Sequence, residues 1–399
     1  MRPADRSPPD SLNPAYLAEL RRIGLEAGLD RFGVTDASVL HRARAAIDHR
    51  RATGLADTMG FTFRNPERST DPGRAVRDAR SVIVGALSYH AGEEIDASAT
   101  VRTPSGVVPS GVVPLDGVTA RVARYARADF YGPLRSALRE VARKLRSDGF
   151  RAVVFADEND MVDREVAWRA GLGWFGKNAN LLLPGAGSWF VLGSVVTTAE
   201  LPVAATPAPD GCGTCRACFD ACPTGAIVAD GVIDARRCLA WLVQRTGIFP
   251  FEHRVALHDR IYGCDDCQDS CPPTVRLGGR HRTDVAVDPA IDALELLEAD
   301  DARVLEICDR WYIAGRDPRW IRRNALLVVA NVAPTPVTDR VRVVLHRYLV
   351  GDDRLLQAHA LWAAIRLGMA DDAVRLCDLD DHQVADEWRR RDRVSVRIV

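Results

Sequence analysis

Apolar positions over residues 15–29 recur at helical spacing, with Leu17, Leu20, Ile23 and Leu25 on or near one face. Short apolar runs follow. Residues 31–35, 81–87 (SVIVGAL), 152–155 (AVVF) and 190–197 (FVLGSVVT) read as strands, and residues 133–147 as a basic amphipathic helix. This interleaving predicts one α+β domain over residues 1–201. From about residue 290 the period becomes helical throughout. Residues 317–332 and 352–367 carry coincident apolar positions 35 residues apart, which reads as two HEAT-type helical repeats; the alternative is a pair of unrelated amphipathic helices. Two stretches break the pattern. Residues 91–118 hold SGVVP twice in tandem, at 105–109 and 110–114, and are expected to form an exposed loop or insertion. Residues 202–210 (PVAATPAPD) form a Pro/Ala linker. The expected layout is 1–201, 202–285 and 286–399.

Composition narrows the function classes. At 399 residues and 47% apolar content the chain can bury a full core over two or three domains. Its net charge of −1 gives no global sign of nucleic-acid binding, although local basic sets remain, at Arg319, Arg322, Arg323, Arg347 and Arg354 and at Arg389, Arg390, Arg391 and Arg393. No run of 18 apolar residues is present and the N-terminal stretch lacks the apolar core of a signal peptide, so a cytoplasmic protein with no membrane span is expected. In that compartment ten cysteines point to metal ligation rather than disulfides.

Eight of those cysteines form one constellation. Cys212-x2-Cys215-x2-Cys218-x3-Cys222-Pro223 is the bacterial ferredoxin run, in which closely spaced thiolates converge on one iron–sulfur cubane. A second run, Cys264-x2-Cys267-x3-Cys271-Pro272, is one cysteine short, and Cys238 between the runs can supply it. In two-cluster ferredoxins the cysteine before proline ligates the other cluster. By that rule one [4Fe-4S] cluster takes Cys212, Cys215, Cys218 and Cys271, and the other takes Cys222, Cys238, Cys264 and Cys267. Two zinc sites are the alternative, but zinc does not require the full run or its near repetition. Cys308 and Cys377 lie apart and read as small core hydrophobes. A carrier needs only the cysteine segment, so the flanking residues are expected to house what the electrons reach.

Gly171-Leu-Gly-Trp-Phe-Gly176 formally matches G-x-G-x-x-G, yet a helix-like stretch precedes it where a dinucleotide site needs a strand. The surrounding residues carry a different signal. Asp157-Glu-Asn-Asp-Met-Val-Asp-Arg-Glu-Val-Ala167, then Arg-Ala-Gly-Leu-Gly-Trp-Phe-Gly-Lys-Asn178, Gly187-Ser-Trp-Phe-Val-Leu-Gly193, Ala123-Arg-Tyr-Ala126, Asp234-Ala-Arg-Arg-Cys238 and Arg260-Ile-Tyr-Gly-Cys264-Asp-Asp-Cys-Gln268 together resemble the epoxyqueuosine reductase family. The resemblance spans roughly residues 15–370. It implies an N-terminal cobalamin-binding α+β domain, a two-cluster ferredoxin-like domain and C-terminal HEAT-like helical repeats.

The activity implied is removal of the epoxide oxygen of epoxyqueuosine at the tRNA wobble position, with the clusters reducing cobalamin. The resemblance places the proton donor at Asp157, for which the bland role is a helix N-cap. It places cofactor contacts at Arg164, Lys177 and Asn178, where cationic and amide donors suit phosphate and amide groups. By their position beside cluster ligands, Asp265, Asp266 and Gln268 join them. The implied partners are tRNA and an electron donor such as ferredoxin or flavodoxin, acting on a monomer. One departure stands out: the family's Asp-Tyr-His is Asp129-Phe130-Tyr131 here. Two competing readings are a reductive-dehalogenase-like enzyme, which typically carries an export signal, and a non-enzymatic electron-transfer protein.

Overall fold

A computed structural model describes residues 14–90, 100–103, 106–109, 116–203, 206–280, 287 and 289–397. The chain divides into two compact units, and both are assembled from three separate segments.

The first unit comprises residues 1–92, 129–236 and 266–285. Its centre is an antiparallel four-stranded sheet in the order Arg31–Asp36, Ser81–Ser88, Phe190–Thr197, Ala152–Phe155. All four strands coincide with the apolar runs. The two central ones are almost wholly buried, which explains why they read as continuous hydrophobic stretches. Tyr131–Ser147 packs on this sheet through Leu134, Ala137, Leu138, Val141, Ala142 and Leu145, the three- and four-residue spacing of one helical face. It sits close because Gly193 leaves the sheet bare beneath it: a Cβ there would lie 2.8 Å from Leu138 and 3.0 Å from the Phe155 carbonyl. Asp163–Arg169 also packs against the sheet. The formal glycine motif forms no dinucleotide turn; Trp174–Phe175 instead pairs with Leu181–Leu182.

The second unit comprises residues 93–128, 237–265 and 286–399. A three-stranded sheet joins Arg260–Tyr262, Thr119–Val122 and Ala290–Asp292. Over it lie the helices Arg319–Val332, Asp339–Leu349, Arg354–Arg366 and His382–Arg389. The two similar sequence stretches coincide with Arg319–Val332 and Arg354–Arg366, which pack on each other. Asp353 starts the second by accepting from the Leu356 amide at 3.1 Å. Cys308 is fully buried here and its thiol is pushed up to about 12 by burial, in keeping with a core role.

Two details add to the sequence reading. Within the stretch 91–118, Thr100–Thr103 pairs antiparallel with Gly106–Pro109, so the first SGVVP copy contributes a strand. The β-branched Val and Thr residues at its core favour extended backbone. The second copy, 110–114, lies outside the described residues. The basic set nominated for RNA is also largely engaged. Arg319 pairs with Asp353, Arg322 with Asp301, Arg354 with Asp378 and Arg389 with Asp386, while Arg323 is buried in the core.

Candidate active site and cluster-ligand loops

Asp157 lies two residues beyond Ala152–Phe155, at the C-terminal end of an edge strand. Its φ of 58° is left-handed, a conformation that Asp tolerates better than most residues. The preceding carbonyl, on Ala156, accepts from Arg135 Nη2 at 2.9 Å, and the same guanidinium sits 5.7 Å from the Tyr131 ring centroid. Asp157 does not cap a helix: the next one begins at Asp163, and its N-cap, Val162, makes no side-chain capping bond. Asp157 retains solvent access, yet partial desolvation by the surrounding protein raises its carboxyl above the usual range; Arg135 opposes the rise and Glu158 adds to it. Asp160, the neighbouring carboxylate, is engaged by Arg68 at 2.7 Å.

A second carboxyl belongs to this cluster and was not singled out from the sequence. Asp163 Oδ1 is sealed from solvent and has no hydrogen-bond partner among the described residues. Burial pushes its carboxyl well above the ordinary value, Asp157 and Glu158 add to that, and Arg164 opposes it. Tyr131 belongs to the same cluster. Burial raises its phenol, Asp157 and Asp163 raise it further, and Arg164 and Arg135 act against them.

A carboxyl held in its neutral form binds its proton more tightly folded than unfolded, so stability falls as pH rises from the ordinary carboxyl value toward the raised one. Asp163→Asn has no proton to lose and is expected to remove that decline. Its melting temperature should exceed the parent's at neutral pH, with the advantage shrinking toward pH 4. Melting curves that run parallel at every pH would count against this reading of Asp163.

The predicted cofactor contacts separate into different roles. Arg164 Nη1 donates to the Ala179 carbonyl at 3.2 Å, and Lys177 Nζ lies 3.5 Å from Asp230. Arg50 joins them: it donates to the Gly231 carbonyl at 2.8 Å, and the Gly231 amide donates to the Lys177 carbonyl at 2.9 Å. Burial disfavours the Arg50 charge, and then Arg164 and Arg42 do so. Its only sequence signal was a basic last turn, His49-Arg50-Arg51, which reads as an ordinary helix end.

Asn178 faces the cluster loop. Its Nδ2 donates to the Cys267 carbonyl at 3.0 Å, and the nearby Asn180 Nδ2 lies 4.0 Å from Cys267 Sγ. Gln268 points into the unit, donating from Nε2 to Tyr89 Oη at 2.8 Å and to the Ser188 carbonyl and Oγ, both at 3.1 Å. Asp266 opens the short helix Asp266–Asp269. In the second unit, buried Asp265 accepts from the Arg124 amide at 2.7 Å.

Cys212, Cys215, Cys218, Cys222, Cys267 and Cys271 belong to the first unit, Cys238 and Cys264 to the second. Burial raises the Cys218 thiol, and charge on Cys271, Cys212 and Cys215 raises it further. These are the four residues that the crossover rule assigns to one cluster. Cys222 Sγ accepts from the Ala226 amide at 3.2 Å, the kind of N–H···S bond that tunes cluster potential. Both Cys238 and Cys271 stand at helix N-caps, immediately before Leu239–Leu242 and Pro272–Leu277.

An antiparallel sheet with a carboxyl at the end of its edge strand, in one unit with the full ferredoxin-type cysteine run, is the arrangement of an iron–sulfur oxidoreductase. Residues 211–274 match the 4Fe-4S double cluster binding domain. The chain is 32% identical over 379 residues to epoxyqueuosine reductase of Xanthomonas campestris pv. campestris, covering 90% of this chain and 98% of that one. It is 33% identical over 374 residues to the Pseudomonas aeruginosa enzyme of that name, covering 91% and 97%. The chain belongs to the epoxyqueuosine reductase family. Its fold matches the crystal structure of an epoxyqueuosine reductase with an epoxyqueuosine-modified tRNA-Tyr stem loop, with TM-score 0.82 and 24% identity over 95% of this chain and 98% of that one.

Proposed function

We propose that this chain reduces epoxyqueuosine to queuosine at the wobble position of tRNA, using two [4Fe-4S] clusters and cobalamin. The observation that carries the proposal is the double cluster binding domain over residues 211–274, with Cys212, Cys215, Cys218 and Cys271 in the same compact unit as the strand-end carboxyl of Asp157. Converting an epoxide to an alkene consumes two electrons and two protons and releases water. The cysteine loops hold the electron source. Asp157 is assigned to deliver a proton to the epoxide oxygen as its C–O bond breaks, and Asp163, whose carboxyl burial likewise raises, to restore that proton.

Cobalamin, when bound, supplies a reducible cobalt centre for C–O cleavage. The donor set fits its phosphate: Arg50 and Arg164 each donate to a backbone carbonyl, and among the described residues neither has a carboxylate at ion-pair distance. Arg164 and Arg50 are therefore assigned to it, and Lys177, which Asp230 partly neutralises at 3.5 Å, is kept with them as the resemblance implies. Asn178 serves the cluster loop, and Asp265, Asp266 and Gln268 flank that loop. A small redox protein, a ferredoxin or flavodoxin, supplies the electrons. No helix among the described residues is long and apolar enough to cross a membrane.

The helices after residue 286 are assigned as HEAT-like repeats, and Arg347, Arg391 and Arg393 remain candidate phosphate contacts for tRNA. Binding of an anticodon stem-loop should weaken with salt, log K falling by roughly 0.7–0.9 per log unit of salt for each phosphate contacted. An affinity independent of salt would count against a tRNA substrate. The activity itself is tested by mass spectrometry of tRNA nucleosides from cells with and without the gene: loss of the gene should leave epoxyqueuosine in place of queuosine.

A further inference from the structure

Buried polar side chains on the helix Arg319–Val332 collect backbone carbonyls from the excursion that carries Cys238 and Cys264. Arg323, 1% exposed, donates from Nη1 to the carbonyls of Arg245 at 2.6 Å and Gly247 at 2.8 Å, and from Nη2 to Leu242 at 2.9 Å and Val243 at 3.4 Å. Asn324, fully buried, orients that guanidinium through Oδ1 and donates from Nδ2 to the carbonyls of Val243 at 2.8 Å and Ile261 at 3.3 Å.

The pattern has a physical reason. Leu239–Leu242 is a single helical turn, so the Leu242 carbonyl has no partner within it, and the carbonyls of Val243, Arg245 and Gly247 lie beyond its end. Left unpaired in a dry interior they would be costly. Cys238 is the N-cap of that turn, so the turn's orientation sets where the thiol points. On the other side, Ile261 lies in the strand that runs to Gly263 and Cys264. Gly263 has φ +73°, and a Cβ there would fall 2.4 Å from Ala123 Cβ, so this approach to Cys264 has little freedom of its own.

We propose that Arg323 and Asn324 are positioning residues for the second cluster: they hold the Cys238 and Cys264 loops in one register, and the helical region is thereby a scaffold for electron transfer. The proposal rests on assigning Cys238 and Cys264 as ligands. All of these residues belong to the second unit, whereas Cys212, Cys215, Cys218 and Cys271 belong to the first. The loss should therefore be selective.

The test is iron and acid-labile sulfide per chain, with EPR of the reduced protein, on anaerobically reconstituted full-length variants. Arg323→Met is expected to fall from about eight irons to about four and to keep the same remaining EPR signal as Cys238→Ala. Arg323→Lys, a point donor without the planar fork, should recover only part of the loss. Gln357→Leu is the control for general destabilisation. Gln357 is equally buried and donates to the Leu349 carbonyl at 2.6 Å, away from the ligand loops, and its variant should melt lower yet keep about eight irons. Should Arg323→Met fail to fold, Asn324→Ala serves instead, and should lose its second cluster to a chelator several-fold faster than the parent. Full iron content and an unchanged EPR spectrum in Arg323→Met, or unchanged chelation in Asn324→Ala, overturn the proposal. Full iron content in Cys238→Ala overturns the ligand assignment beneath it.

Discussion

Asp157→Asn is expected to slow single-turnover reduction of epoxyqueuosine-containing tRNA by roughly 10²–10⁴, the range for loss of a general acid. Asn preserves the size of the side chain and, like Asp, tolerates the left-handed backbone at this position, so the strand end should keep its shape. Iron content and cofactor absorbance should not change, because the side chain belongs to neither the cysteine loops nor the Arg50–Arg164 pair. The pH dependence gives an independent handle. An acid must be protonated to act, and burial raises this carboxyl, so the parent's rate should fall as pH rises through the raised value. The variant should lack that limb. A normal rate in Asp157→Asn would remove the residue from the mechanism, and loss of cofactor would reassign it to structure.

Cys271→Ser should abolish turnover and remove the cluster held by the first cysteine run, although that run is intact. The expectation follows from the proposed crossed ligation, in which Cys271 from the second run completes the cluster of Cys212, Cys215 and Cys218. Iron should drop from about eight to about four, and the EPR signal that remains should equal that of Cys212→Ser. Cys238→Ser should leave the complementary signal. If Cys271→Ser and Cys238→Ser instead leave the same one, ligation is not crossed and each run serves its own cluster.

Much of this was legible locally. The strands of the first sheet announced themselves because central strands are covered on both faces and so become unbroken apolar runs, as in Val82-Ile83-Val84 and Val195-Val196. The strand-end position of Asp157 could be read from the apolar run before it, whereas its role as proton donor is what the family resemblance implies. The cysteine spacing carried its own chemistry. Other residues misled. Arg323 looked like a phosphate contact because its charge normally implies solvent, and only its partners, the carbonyl that ends a one-turn helix some 80 residues earlier and those of the segment just after it, show why it is buried. Asn178, an amide donor beside a lysine, also donates to the Cys267 carbonyl, a contact that its sequence neighbours do not announce.

What the sequence by itself determined was the set of local elements, the two-cluster chemistry and the carboxyl at the strand end, because each depends on residues within a few positions of one another. Only tertiary structure decided the assembly of each unit from three chain segments, the addition of Arg50 beside Arg164, the sealed Asp163 carboxyl and the burial of Arg323. These depend on which distant segments meet, and a side chain's charge, partners and access to water are set by that meeting rather than by its neighbours in the chain.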